Sequence, residues 1–189
     1  MSNIVSKSKN YEKCSTGLQQ AVCVFVNDIG TQIGEYQGKR KELPKVIISW
    51  ELKETMKDGD YAGKRFMMNK YYTKSLYEMA NLTKDLENWR GKKFTQEELN
   101  GFDLDNLIGA NCYLNIVVTE KDSRKVSAVL PLPRDIEKLK PEMTEMSDGM
   151  KKWIDSERAK SMEMQPENNH VDKSDESLPR AEPVDDLPF

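Results

Sequence analysis

Between Lys45 and Glu54 the chain alternates, with Val46, Ile48, Trp50 and Leu52 on one side and Ile47, Ser49, Glu51 and Lys53 on the other. A period of two over this length fits a strand with one buried face and does not fit a helix. An earlier apolar run, Leu18 to Ile33, contains Ala21-Val-Cys-Val-Phe-Val26 and then Gly30 and Gly34. Such glycines let a long strand bend, as a barrel corner requires. Tyr36 to Pro44 reads as a loop, Lys57 to Asp60 as a turn, and Lys64 to Tyr72 as a third strand. From Thr73 the period changes: Leu76, Met79, Leu82, Leu86 and Trp89 lie three or four apart, and Gly91 stands where a helix would end. Thr95-Gln-Glu-Glu98 has capping-box spacing for a short second helix, and Asp103 to Ile108 reads as a turn. Strand patterning returns at Asn111 to Lys121, with Cys112, Leu114, Ile116 and Val118 on one face. It resumes after Asp122-Ser-Arg124 at Lys125 to Leu130, which Pro131 and Pro133 close.

Three strands, a helical insertion and two strands are the element order of a five-stranded OB barrel whose middle helix plugs one end. An α+β domain with an open antiparallel sheet gives the same order. The fold expected is therefore mainly β with a helical insertion: an OB-type barrel over residues 18–134, preceded by an N-terminal arm, 1–17. A C-terminal extension, 135–162, holds a short amphipathic helix from Met150 to Met162 around Trp153 and Ile154. Residues 163–189, polar, acidic and proline-containing, are expected to form a disordered tail.

Several function classes are disfavoured. No apolar run approaches the roughly 18 residues of a membrane span, and Met1 to Lys7 lacks the apolar core of a secretory signal, so a cytoplasmic location is expected. Cys14, Cys23 and Cys112 are odd in number and lack metal-type spacing, which assigns Cys23 and Cys112 to the core. The single histidine, His170, lies in the tail, away from any His-based triad or zinc site. Gly34-Glu-Tyr-Gln-Gly38-Lys39 is one residue short of a phosphate-binding P-loop and lacks the following Ser or Thr. Asp58 with Asp60, and Asp103 with Asp105, have the simpler roles of turn formers and helix caps. No catalytic residue, metal or cofactor is expected.

The formal charge of −3 conceals an asymmetry. Residues 1–160 carry 27 basic and 24 acidic side chains, net +3, and residues 161–189 carry 2 and 8, net −6. In the OB arrangement oligonucleotides lie across strands two and three, between the loops that join strands one to two and four to five. Both loops are basic here, with Lys39, Arg40, Lys41 and Lys45 in one and Lys121, Arg124 and Lys125 in the other. Lys53, Arg65 and Lys70 add cations from the strands. Cations track phosphates while aromatic rings stack on bases, and Tyr71, Tyr72 and Tyr113 lie in this zone. Tyr71 and Tyr72 point to opposite faces, so one of them is expected outside. Trp50 shares a face with Val46, Ile48 and Leu52 and is assigned to the core.

The chain ends Glu182-Pro-Val-Asp-Asp-Leu-Pro-Phe189. This end resembles the acidic tip of bacterial single-stranded DNA-binding proteins, which finish with aspartates, an aliphatic residue, proline and phenylalanine. The resemblance implies that Asp185, Asp186, Leu187, Pro188 and Phe189 dock on replication or recombination proteins, the ring and terminal carboxylate entering an apolar pocket with basic walls. Gly30-Thr-Gln32, Val46-Ile-Ile-Ser-Trp-Glu-Leu52, Leu86-Glu-Asn-Trp-Arg-Gly91, Gly101-Phe-Asp-Leu-Asp105 and Leu130-Pro-Leu-Pro133 resemble a family of bacteriophage proteins considered to be OB-type single-stranded DNA-binding proteins. That resemblance implies a non-enzymatic protein that coats single strands in the host cytoplasm. It leaves open duplex DNA as a second ligand and homo-oligomerisation, and a recombination accessory factor with weak DNA binding is the alternative.

Overall fold

The computed structural model describes residues 12–36 and 39–163. Five strands form one antiparallel sheet: β1 (Gly17–Tyr36), β2 (Lys39–Thr55), β3 (Arg65–Thr73), β4 (Asn111–Val118) and β5 (Arg124–Pro131), in the order β3-β2-β1-β4-β5. The sheet is not closed, and β3 and β5 are its edges. Between β3 and β4 the chain forms α1 (Asn81–Arg90), α2 (Gln96–Leu99) and a 3₁₀ turn, Leu104–Leu107. A last helix, α3 (Asp148–Glu163), follows the sheet.

Helix α1 packs against both β5 and β3, across the gap that the open sheet leaves. Leu82, Leu86 and Trp89 enter a core with Cys23, Val46, Ile48, Trp50, Leu52, Phe66, Met68, Leu114, Ile116 and Val129. The Trp50 and Trp89 rings are 6.0 Å apart, and Trp89 Nε1 donates to Asn111 O at 2.8 Å. Gly91 ends α1 in the left-handed conformation, φ 69°. Thr95 and Glu98 make the expected capping box, and Asp103 caps the 3₁₀ turn through Asp105 N.

Three expectations are corrected. The helical period begins at Leu76, but α1 starts at Asn81, and Met79 is exposed. β3 remains paired through Thr73 with Lys45, and Lys74 N donates to Pro44 O at 2.7 Å, so the chain must turn before it can coil. Tyr36 and Lys39 to Pro44, expected in a loop, are strand: β1 and β2 run on as a two-stranded ribbon with pairs from Thr31–Pro44 to Tyr36–Lys39. The ribbon leaves the sheet at Gly30, φ 77°, whose N–H donates to Asp28 Oδ1 beside a register shift. Finally, β2 is buried on both faces, since Ile47, Ser49 and Glu51 are as inaccessible as Val46, Ile48 and Trp50. Residues 137–154 cover the second face.

Burial of acidic protons makes the fold sensitive to alkali. Desolvation pushes the Cys23 thiol up to about 12 and holds those of Cys14 and Cys112 above the ordinary 9.0. Desolvation and then Asp85 also raise the Tyr72 phenol. The folded state keeps protons that the unfolded state releases, so this stability is complete below pH 9.0 and declines as pH rises. Each thiol contributes a slope of about 1.4 kcal/mol per pH unit once ionised in the unfolded chain. Urea midpoints are expected to be flat from neutrality to about pH 8.5 and to fall steeply by about pH 10.5. Cys23→Ala is expected to flatten the fall.

Candidate functional site

The basic segments singled out by sequence leave opposite ends of β1. The ribbon projects beyond Gly30, with Arg40 and Lys41 exposed and Lys39 paired to Tyr36 near its tip. Lys45 stands at its base, Nζ 2.9 Å from Thr73 Oγ1. The β4–β5 turn lies at the other end, beyond the Gly17–Ile116 pair, with Lys121 and Lys125 exposed. Asp122 turns the chain there with φ 53°. Arg124 is a brace: its Nε donates to Cys14 O at 2.9 Å, and Lys13 pairs with Asp122 alongside.

The remaining candidates divide by strand parity. Tyr72 points inward, is 3 % exposed, and donates its hydroxyl to Asp85 Oδ2 at 2.7 Å. Lys70 turns to the same carboxylate at 2.6 Å. Both residues are thereby tied to α1, and Tyr72 presents no ring face for a base. Tyr71 points outward, is 51 % exposed, and meets Trp153 of α3 edge-on at 5.7 Å. Tyr113 is half-buried on β4, paired with Gln20 and Leu130, and Lys53 is exposed on β2. Arg65 is engaged, donating to Lys140 O and pairing with Glu142, both at 2.8 Å, and lying 3.5 Å from Glu51.

Residues 137–143 form a strap across the outer face. Gln20 Nε2 donates to Glu137 O at 2.6 Å, and Asn111 exchanges two hydrogen bonds with Leu139, at 3.0 and 2.7 Å. Glu51, 2 % exposed, accepts the N–H groups of Glu142 and Met143 at 2.9 and 2.6 Å. A carboxylate that satisfies two amides and faces a guanidinium is a stable way to bury charge. α3 then crosses the outer face, with Ile154 packed on Ile29 and Ile47.

Neither a protein-family model nor a curated protein matches this chain. Among the described residues no group of three His, Cys, Asp or Glu side chains is placed to hold a metal ion, and no helix is long and apolar enough to cross a membrane.

A cleft of about 460 Å³ runs along the seam of α1, β3 and β5, lined by Lys84, Lys125, Asn81, Asn88 and the Lys70–Asp85 ion pair. It adds Lys84, which sequence reading missed because a lysine on an amphipathic helix resembles any solvated charge. A larger cleft, about 670 Å³, lies at the base of the ribbon, but Asp28, Asp103 and Asp105 line it and oppose a polyanion. The strap was missed as well. Its signal was the unbroken run Ala21 to Val26 together with Ile47, because strands buried on both faces lose alternation. Asp185 to Phe189 lie outside the described residues.

Proposed function

We propose that this chain is a non-catalytic, OB-type single-stranded DNA-binding protein of the bacteriophage kind, acting in replication or recombination and recruiting partners through its acidic tip. The strand order β3-β2-β1-β4-β5, with the helix that follows β3 laid over the gap between the edges, fits an OB barrel left open along that seam. The observation that carries the reading is the ribbon. It extends beyond the strands that flank it and carries Arg40 and Lys41 exposed, with Lys45 at its base. Such an arm suits a flexible polyanion, because cations on a projecting ribbon follow a backbone without requiring a fixed base geometry. Lys53, Tyr113, Lys121 and Lys125 extend the same chemistry along the outer surface.

A second reading, a recombination accessory or protein-interaction factor with weak DNA affinity, is favoured by one observation: residues 137–154 cover the outer face of β2. Fluorescence anisotropy with labelled oligothymidine and a matched duplex, over a range of salt, separates the two. The DNA-binding reading expects saturable binding to the single strand that weakens with salt by about 0.7 log units per log unit for each phosphate neutralised. Binding too weak to saturate at low salt selects the accessory-factor reading.

A further inference from the structure

α3 is attached unlike the rest of the fold. Of its thirteen described side chains, 148–160, only Ile154 is buried. It sits in a small cluster of its own with Ile29, Ile47, Met146, Met150 and Trp153, separate from the main core. On the same outer face as Ile47 lie Asn27 and Ser49, whose Nδ2 and Oγ are buried without a hydrogen-bond partner among the described residues. A closed protein surface seldom leaves two such groups unmet, and any ligand that offered them partners would gain by doing so. The ring of Trp153 meets Tyr71, the outward tyrosine of β3, at 5.7 Å. The far end of the helix also holds the root of the ribbon: Arg158 Nε donates to Asp28 O at 2.8 Å, and Gln32 Nε2 to Glu157 at 3.4 Å. The strap, by contrast, is fastened at Gln20, Asn111 and Glu51 by five hydrogen bonds.

From this contrast we infer that α3 is an autoinhibitory cover, which occupies the strand-binding face, sets Trp153 in the place of a base against Tyr71, and lifts away when single-stranded DNA binds. The strap stays in place and acts as the anchor. Lifting exposes Tyr71, Asn27 and Ser49 to bases and releases the ribbon from Glu157 and Arg158, so the platform and the arm become available together. The competition is one of occupancy: affinity is reduced by the fraction of molecules in which the cover is closed. The inference rests on the proposed function, and its test distinguishes the two.

Gln32→Cys and Glu157→Cys are introduced together in the full chain and bridged with a short bis-thiosulfonate reagent that dithiothreitol cleaves. The native cysteines Cys14, Cys23 and Cys112 are buried and do not compete. Labelled oligothymidine is then titrated with the bridged and the cleaved protein. The bridged form is expected to bind at least about tenfold more weakly, with cleavage restoring the affinity. Trp153→Ala, which leaves the main core untouched, is expected to bind several-fold more tightly than the unsubstituted protein. Equal, measurable affinity of bridged and cleaved protein overturns the cover while leaving the DNA-binding reading intact. Weaker binding by Trp153→Ala also overturns it, since α3 would then belong to the site. Absence of binding in every form, the unsubstituted protein included, overturns the function and the cover together.

Discussion

Asp85→Ala is expected to lower the unfolding free energy by about 3 kcal/mol, the lower end of what breaking a buried ion pair costs. The Asp85 carboxylate accepts from Tyr72 Oη and Lys70 Nζ, and the Lys70 and Asp85 side chains are 18 % and 12 % exposed. Removing it leaves a buried phenol and a half-buried ammonium without their acceptor, and both must then be solvated or neutralised. Tyr72→Phe removes one donor and leaves Lys70 paired, so its cost is about 1 kcal/mol. The double variant is expected to cost less than the sum, because the orphaned hydroxyl accounts for part of the Asp85→Ala penalty. Denaturant unfolding gives the three values, and amide exchange across Asn81–Arg90 reports whether α1 loosens. A loss below about 1 kcal/mol for Asp85→Ala would mean that apolar packing alone holds the helix over the seam.

The second large effect concerns the ribbon. Changing Lys39, Arg40 and Lys41 together to Ala is expected to reduce the salt slope for oligothymidine by about 2, three charges at about 0.7 each. Affinity near physiological salt is expected to fall by about 10- to 100-fold, while the thermal midpoint stays within a few degrees. Arg40 and Lys41 lie outside both apolar clusters, which is why stability and binding separate here. An unchanged slope would remove the arm from the interface and shift attention to Lys84, Lys121 and Lys125 around the β3–β5 seam and the β4–β5 turn.

The contrast between Tyr71 and Tyr72 shows how far local pattern reaches. Adjacent strand residues face opposite sides, so one tyrosine had to be inside. Which one depends on the register Val46–Tyr72, since Val46 belongs to the core face. That pairing was readable in principle from the alternation of β2 and β3, but the face of β3 is ambiguous in Arg65-Phe-Met-Met-Asn-Lys-Tyr-Tyr72, where apolar residues occupy both parities. Lys70 had no sequence signal for its inward turn. A charged residue on an edge strand is ordinarily solvated, and only the Asp85 carboxylate arriving on α1 gives it a partner.

The order of the strands and helices, the stop of α1 at Gly91 and the start of α2 at Thr95, and the core identity of Trp50, Trp89, Cys23 and Cys112 were determined by the sequence itself. They follow from side-chain periodicity and from caps formed by residues a few positions apart. The tertiary structure alone decided that β2 is buried twice over, that Glu51 is a buried acceptor, and that Arg65, Lys70 and Arg124 brace the fold instead of facing outward. Most of those outcomes depend on a partner far away in the chain, since residues 142 and 143 lie more than 90 positions from Glu51 and Cys14 lies 110 from Arg124, while Asp85 lies 15 from Lys70 on a different element. Periodicity records how a strand meets water or protein on average, whereas the burial of a second face is set by whichever distant segment folds over it.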